Sequence, residues 1–248
     1  MHYFLPYGRR MNMNYLHKIE ILGDSILKGI QVNPLNNRYY TKNDIDFATL
    51  SSAYSLEFKN ESRFGCTVTK GSRIIQEKIQ NGFCCDALVM DFGGNDCDYV
   101  WDEISKNPFD IHEPHTPLDL FTKEYTNLIR YLKAHNILPI ITTLPPLDSQ
   151  RFFQWWCDNL NKDNILKFLG SIDQIYKHQE SYSNQIQLIA KQEDVPLIDL
   201  RQEFLAETNP SSLICEDGTH PNSKGQQKIT KAFDDFLCKF TKSGTSAE

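Results

Sequence analysis

Five polar positions between residue 25 and residue 220 carry the chemistry available to this sequence. Ser25 sits in Gly23-Asp24-Ser25-Ile26-Leu27, behind a short run of branched apolar residues. That pattern reads as a buried strand that breaks at a glycine and releases a serine hydroxyl where a helix begins. A serine hydroxyl is a poor nucleophile at neutral pH until a base takes its proton, and an imidazole with a near-neutral pKa can do so. His220, in Asp217-Gly218-Thr219-His220-Pro221, is the candidate base, and Asp217 is close enough in sequence to hold its second ring nitrogen. The developing oxyanion needs donors, for which the Gly65 N–H, the Asn95 side-chain amide and the N–H of Ser25 itself are suited. Together these are the parts acyl transfer requires.

Each part also has a purely structural reading. Ser and Asp are favoured helix N-caps, Gly65 can serve a tight turn, and Asn95 follows two glycines where a left-handed turn is expected. Asp217-Gly218 can be a plain turn, and His220 a loop histidine ahead of a helix capped by Asn222 or Ser223. Their joint placement tells the two readings apart, so the elements that position them decide the matter.

Apolar strand patterns occur at 18–22, 55–59, 86–92, 137–144 and 196–200. Helical spacing occurs at 44–54, 69–80, 118–135, 171–194 and 223–240. Five alternations of strand and helix, without repeats or low-complexity linkers, predict an α/β fold with one five-stranded parallel sheet covered on both faces. Five strands favour the flavodoxin-like order 2-1-3-4-5 over a six-stranded Rossmann order. In such a sheet Ser25 follows the first strand, Gly65 the second, Asn95 the third, and Asp217 and His220 the fifth. All emerge at the carboxyl edge, where open α/β sheets bind ligands. The expected organisation is an N-terminal extension at 1–17, a single domain at 18–240, and a disordered tail at 241–248. Within the domain, the polar segment 33–43, the irregular 97–117 and the aromatic 148–170 interrupt the alternation, and the last two read as insertions.

A net charge of −6 argues against a nucleic-acid or anionic-membrane surface. No apolar run approaches the roughly 20 residues that span a bilayer. Residues 1–18 lack the apolar core of a signal peptide, so a cytoplasmic location is expected. The seven cysteines are odd in number and form no C-x-x-C, which fits reduced thiols, with Cys84-Cys85 opening a buried strand.

Four blocks stand in order along the chain: Gly23-Asp24-Ser25-Ile26-Leu27, Asn60 through Gly65, Gly93-Gly94-Asn95-Asp96, and Asp217-Gly218-Thr219-His220-Pro221. Over residues 18–240 the sequence resembles the SGNH (GDSL-type) hydrolases, with isoleucine where the first block's leucine would stand. The resemblance implies a three-layer α/β/α sandwich and ester hydrolysis without a cofactor or metal. Position by position, it makes Ser25 the nucleophile, His220 the base and Asp217 its partner, with Ser25, Gly65 and Asn95 as the oxyanion donors. The family spans carbohydrate acetylesterases, lysophospholipases, thioesterases and arylesterases, so the substrate does not follow from it.

The pocket wall is expected from 148–170 together with 97–117, with Phe152, Phe153, Trp155 and Trp156 as candidate substrate contacts. The alternative is that these rings only pack the insertion onto the domain. A small polar ester such as an O-acetylated sugar is the expected substrate. Lysophospholipase or thioesterase activity is the alternative, as is a non-catalytic binding module. Other matches carry less. Asp91-Phe92-Gly93 lacks the companion motifs of a kinase and reads as a strand end. His112-Glu113-Pro114-His115 lacks H-E-x-x-H spacing and reads as a surface loop. No G-x-G-x-x-G follows the first strand, no phosphate-binding G-x-x-x-x-G-K-[ST] occurs, and G-x-S-x-G is absent. Asp199 is expected to cap a short helix.

Overall fold

A computed structural model describes residues 16–245. Five strands, β1 (Lys18–Gly23), β4 (Glu57–Asn60), β5 (Ala87–Asp91), β6 (Leu138–Thr142) and β7 (Leu197–Ile198), form one parallel sheet in the order β4-β1-β5-β6-β7. Counting only these strands, that is the expected 2-1-3-4-5. The two short strands β2 (Ile30–Val32) and β3 (Tyr39–Thr41) lie between β1 and β4 in sequence and pair antiparallel as a separate ribbon.

Side-chain alternation along the strands builds two cores, one on each face of the sheet. Ile19, Ile21, Ala87, Val89 and Ile140 point to one face, where they meet α1 (Phe47–Tyr54), α8 (Leu200–Leu205) and α9 (Ser223–Thr245). Leu22, Leu88, Met90 and Ile141 point to the other, where they meet α2 (Val68–Gln80), α4 (Leu118–Ala134) and α7 (Asp173–Gln192). Helix α4 shows why: Phe121, Tyr125, Leu128, Ile129 and Leu132 recur at helical spacing, and all are buried. Close approach helps on the same side. A Cβ on Gly71 would stand 2.2 Å from the Phe92 ring, so a glycine lets α2 settle over the end of β5. The result is the expected α/β/α sandwich.

A third, smaller core sits above the carboxyl edge. It joins α3 (Trp101–Lys106), α5 (Ser149–Trp156), α6 (Lys162–Leu169) and the start of α7 through Trp101, Ile104, Phe152, Phe153, Cys157, Ile165 and Ile175. Both segments read as insertions therefore contain helices.

Several local expectations need correction. Ser25 opens a turn rather than a helix. Lys28 N–H bonds back to the Asp24 carbonyl, Gly29 turns the chain at φ +77°, and β2 begins directly after it. The polar segment 33–43 forms the turn and second strand of the β2–β3 ribbon; strands of three residues leave too short a pattern to read. The fifth strand contracts to two residues because Asp199 already caps α8, its carboxylate accepting from the Gln202 N–H at 3.0 Å. Cys84 is exposed and only Cys85 is buried, ahead of a strand that starts at Ala87. Residues 1–15 of the expected extension lie outside the described residues, whereas Leu16 is buried in the core and the His17 N–H donates to Asp86. At the other end α9 runs to Thr245, through part of the segment expected to be a disordered tail; 246–248 lie outside the described residues.

Candidate active site

In the sheet Gly23 pairs with Asp91, and Ile21 with Asn60, so the carboxyl ends of the first three strands lie side by side. The loops leaving them bring Ser25, Gly65 and Asn95 to one rim. The segment that follows α8 reaches the same rim by a tight turn, in which the Cys215 N–H bonds the His220 carbonyl and Gly218 stands at φ +76°.

Ser25 Oγ lies 2.9 Å from His220 Nε2, and His220 Nδ1 lies 2.5 Å from Asp217 Oδ2. An ionised carboxylate only accepts, so Nδ1 carries the ring proton and Nε2 is left to accept from the serine. The other oxygen of Asp217 accepts from the backbone N–H groups of Thr219 and His220, at 3.0 and 3.1 Å. Burial acts to raise the Asp217 pKa, but the His220 ring and these two N–H groups outweigh it and hold the carboxyl below its usual range. All three side chains are buried.

Asn95 stands beside Ser25 on the wall of one cavity. Its Nδ2 donates to Asp24 Oδ2 at 2.9 Å, which fixes the orientation of the amide. His115, one of the two histidines of the discounted metal-like motif, contacts the Asn95 carbonyl through Nδ1 at 3.0 Å. The other, His112, meets the Asn107 carbonyl at 2.7 Å. No group of three or more His, Cys, Asp or Glu among the described residues is placed to hold a metal ion.

Gly65 sits at φ +68° in the loop after β4 with open space where a Cβ would be. It borders a neighbouring surface depression rather than the cavity itself. Neither its N–H nor that of Ser25 has an acceptor among the described residues.

The cavity measures about 470 Å³. Of the four aromatic residues expected on its wall, Phe152 and Trp156 line it, whereas Phe153 and Trp155 do not. Phe153 is buried in the third core. Helix α5 turns Trp155 toward Tyr39 instead, with ring centroids 6.3 Å apart. Tyr39 and Phe64 are neighbours of the His220 ring that the sequence reading missed. Their rings lie 5.3 and 6.0 Å from that of His220 and flank the imidazole. Phe64 belongs to the second sequence block, which was a usable signal; Tyr39 sits on a strand of three residues, which was not.

The sequence model of the family described as GDSL-like lipase/acylhydrolase matches residues 19–233. The chain belongs to that family. As a GDSL-like lipase/acylhydrolase it is a serine ester hydrolase. No curated protein matches it in sequence. Among solved structures, a lipase/acylhydrolase from Enterococcus faecalis superposes with a TM-score of 0.63 at 16% identity, covering 92% of this chain and 97% of that one. An α/β hydrolase from the metagenome of Lake Arreo, Spain, gives 0.65 at 19% identity, with 92% and 98% covered. An acetylxylan esterase from Geobacillus stearothermophilus gives 0.63 at 18% identity, with 89% and 94% covered. At these identities the likeness extends to the fold. No helix among the described residues is long and apolar enough to cross a membrane.

Proposed function

We propose that the protein cleaves carboxylic esters of small molecules with Ser25 as nucleophile, His220 as general base and acid, and Asp217 as the group that orients the imidazole. The reading is carried by the unbroken series from the Ser25 hydroxyl through both His220 nitrogens to the Asp217 carboxylate. Ser25 Oγ attacks the ester carbonyl carbon while Nε2 takes its proton, and the carbonyl electron pair moves onto oxygen. The unused N–H groups of Ser25 and Gly65 and the Asn95 amide are the donors for that oxyanion. As the tetrahedral intermediate collapses, the bond to the alcohol oxygen breaks and His220 returns the proton to it. Water then gives a proton to Nε2 and attacks the acyl-enzyme, which releases the acid and restores the serine.

The sequence favours a short acyl group such as acetyl on a sugar, an ester of the kind named for the acetylxylan esterase of similar fold. The cavity supports a larger and less polar group.

A fluorophosphonate probe tests the catalytic reading. Labelling of Ser25 that disappears in Ser25→Ala is expected. An unlabelled native protein that turns over no ester would leave only a binding module.

A further inference from the structure

We propose that the cavity beside Ser25 is an acyl chamber, and that the favoured substrates are esters with an apolar acyl body of roughly six to ten carbons rather than acetyl esters. This deepens the esterase reading and rests on it.

Size is the first argument. An acetyl group has one methyl beyond its carbonyl carbon, and most of a cavity of about 470 Å³ would stay unfilled around it. The space is also built rather than accidental. Its wall residues Trp101, Phe152 and Ile175 belong to the separate small core that holds both insertions together above the sheet. A short alkyl group would leave those walls without the contacts that make a closely packed interior favourable.

Chemistry is the second argument. A sugar ring brings several hydroxyls, each needing a partner once buried. Three of the polar side chains on this wall are engaged already, whereas Trp156 Nε1 and Thr219 Oγ1 are buried without a hydrogen-bond partner. Asp98 accepts from the Trp101 indole at 2.8 Å and the Tyr99 N–H at 3.0 Å. Gln179 donates to the Pro145 carbonyl at 2.7 Å and accepts from Arg201 at 2.8 Å. His178 Nε2 meets the Cys97 carbonyl at 3.0 Å. What remains open is mostly aromatic and aliphatic surface.

Orientation is the third. The alcohol oxygen must take its proton from His220 Nε2, so the leaving group lies beside the imidazole. Phe64, which stacks on that ring, is 53% exposed, so this side gives onto solvent. Tyr99 and Trp101, which line the same cavity, are half-buried and buried in contrast. The acyl body therefore goes inward and the alcohol outward.

The experiment compares two ester series on the full chain. One holds p-nitrophenol constant and lengthens the acyl group from two to ten carbons; the other holds acetate constant and lengthens the alcohol. The chamber predicts that kcat/KM rises about fourfold per methylene along the acyl series, to a maximum between about six and ten carbons. The alcohol series should stay nearly flat. Leu169→Trp, which puts a larger ring on the chamber wall, should move the acyl optimum to shorter chains and lower the decanoate-to-butyrate ratio at least about tenfold. An acetyl optimum, or a length dependence confined to the alcohol series, would overturn the chamber while Ser25 still reacts with fluorophosphonate. Failure of both the labelling and every ester would instead remove the esterase reading and the chamber with it.

Discussion

The Asn95 side-chain amide donates to the Asp24 carboxylate at 2.9 Å, so the acid that precedes Ser25 in sequence orients the amide proposed as an oxyanion donor, which follows a different strand. The other Asp24 oxygen accepts from the Ile26 N–H at 2.8 Å, in the turn that presents Ser25. One carboxylate thus braces two parts of the site. Asp24→Asn leaves a single acceptor oxygen for both bonds. It is expected to lower kcat about ten- to a hundredfold with KM little changed, because the misplaced amide acts on the transition state. Steady-state kinetics on one soluble ester measures it, and a rise in KM at constant kcat would place Asp24 in binding instead.

Asn95 itself should matter more. Asn95→Ala removes one donor, and a loss of about 10²–10³ in kcat is expected with folding intact. Thermal melting and kinetics on the same preparation distinguish the two effects. A variant with full kcat would remove Asn95 from the oxyanion site.

In the proposed mechanism Asp217 acts through His220. Asp217→Asn can no longer fix the ring proton on Nδ1, and kcat should fall by about 10³–10⁴ while fluorophosphonate labelling slows in parallel. An equal loss produced by mere unfolding would show as a lowered melting temperature, which would count against this role.

Beneath the site lie three buried acids. Burial pushes Asp96 up to about 6, and Asp24 and Asp91 are raised as well, Asp24 first by burial and then by the charge of Asp91. A carboxyl whose folded pKa exceeds its unfolded value keeps its proton longer in the native state. Stability is therefore greatest below pH about 4 for these groups and declines as pH rises toward 6. Asp91 Oδ1 accepts from the Thr142 hydroxyl at 2.8 Å but Oδ2 is buried without a hydrogen-bond partner, so Asp91→Asn removes a charge that is only partly compensated. Its melting temperature relative to the native protein should rise between pH 4 and pH 7. A difference that does not vary with pH would contradict the assignment.

Much of this was legible in the residues, and the misses have a common cause. Strand β5 reads clearly as Ala-Leu-Val-Met-Asp because it is buried on both faces, and the parallel sheet order follows from the alternation. Ser25 and His220 were placed together by their strand ends, although they are 195 positions apart. Tyr39 was not, because a three-residue strand has no period and its partner ring lies across the fold. Nor could spacing say which rings of the run 152–156 face the cavity. Helix α5 sends Phe152 and Trp156 to it, four residues apart, and turns Phe153 and Trp155 elsewhere. The contact that sets α5 in place is also a backbone one: the Asp148 N–H bonds the Gly218 carbonyl at 2.8 Å, and a Cβ on Gly218 would stand 2.3 Å from the Phe152 nitrogen.

The most direct measurement follows one turnover of a p-nitrophenyl ester by rapid mixing, with acid quenching and peptide mapping of the protein. A covalent nucleophile at residue 25 predicts a burst of p-nitrophenol close to one per active site, and an acyl group on the peptide that contains Ser25. Release without a burst, together with an acyl group on any other residue, would contradict it.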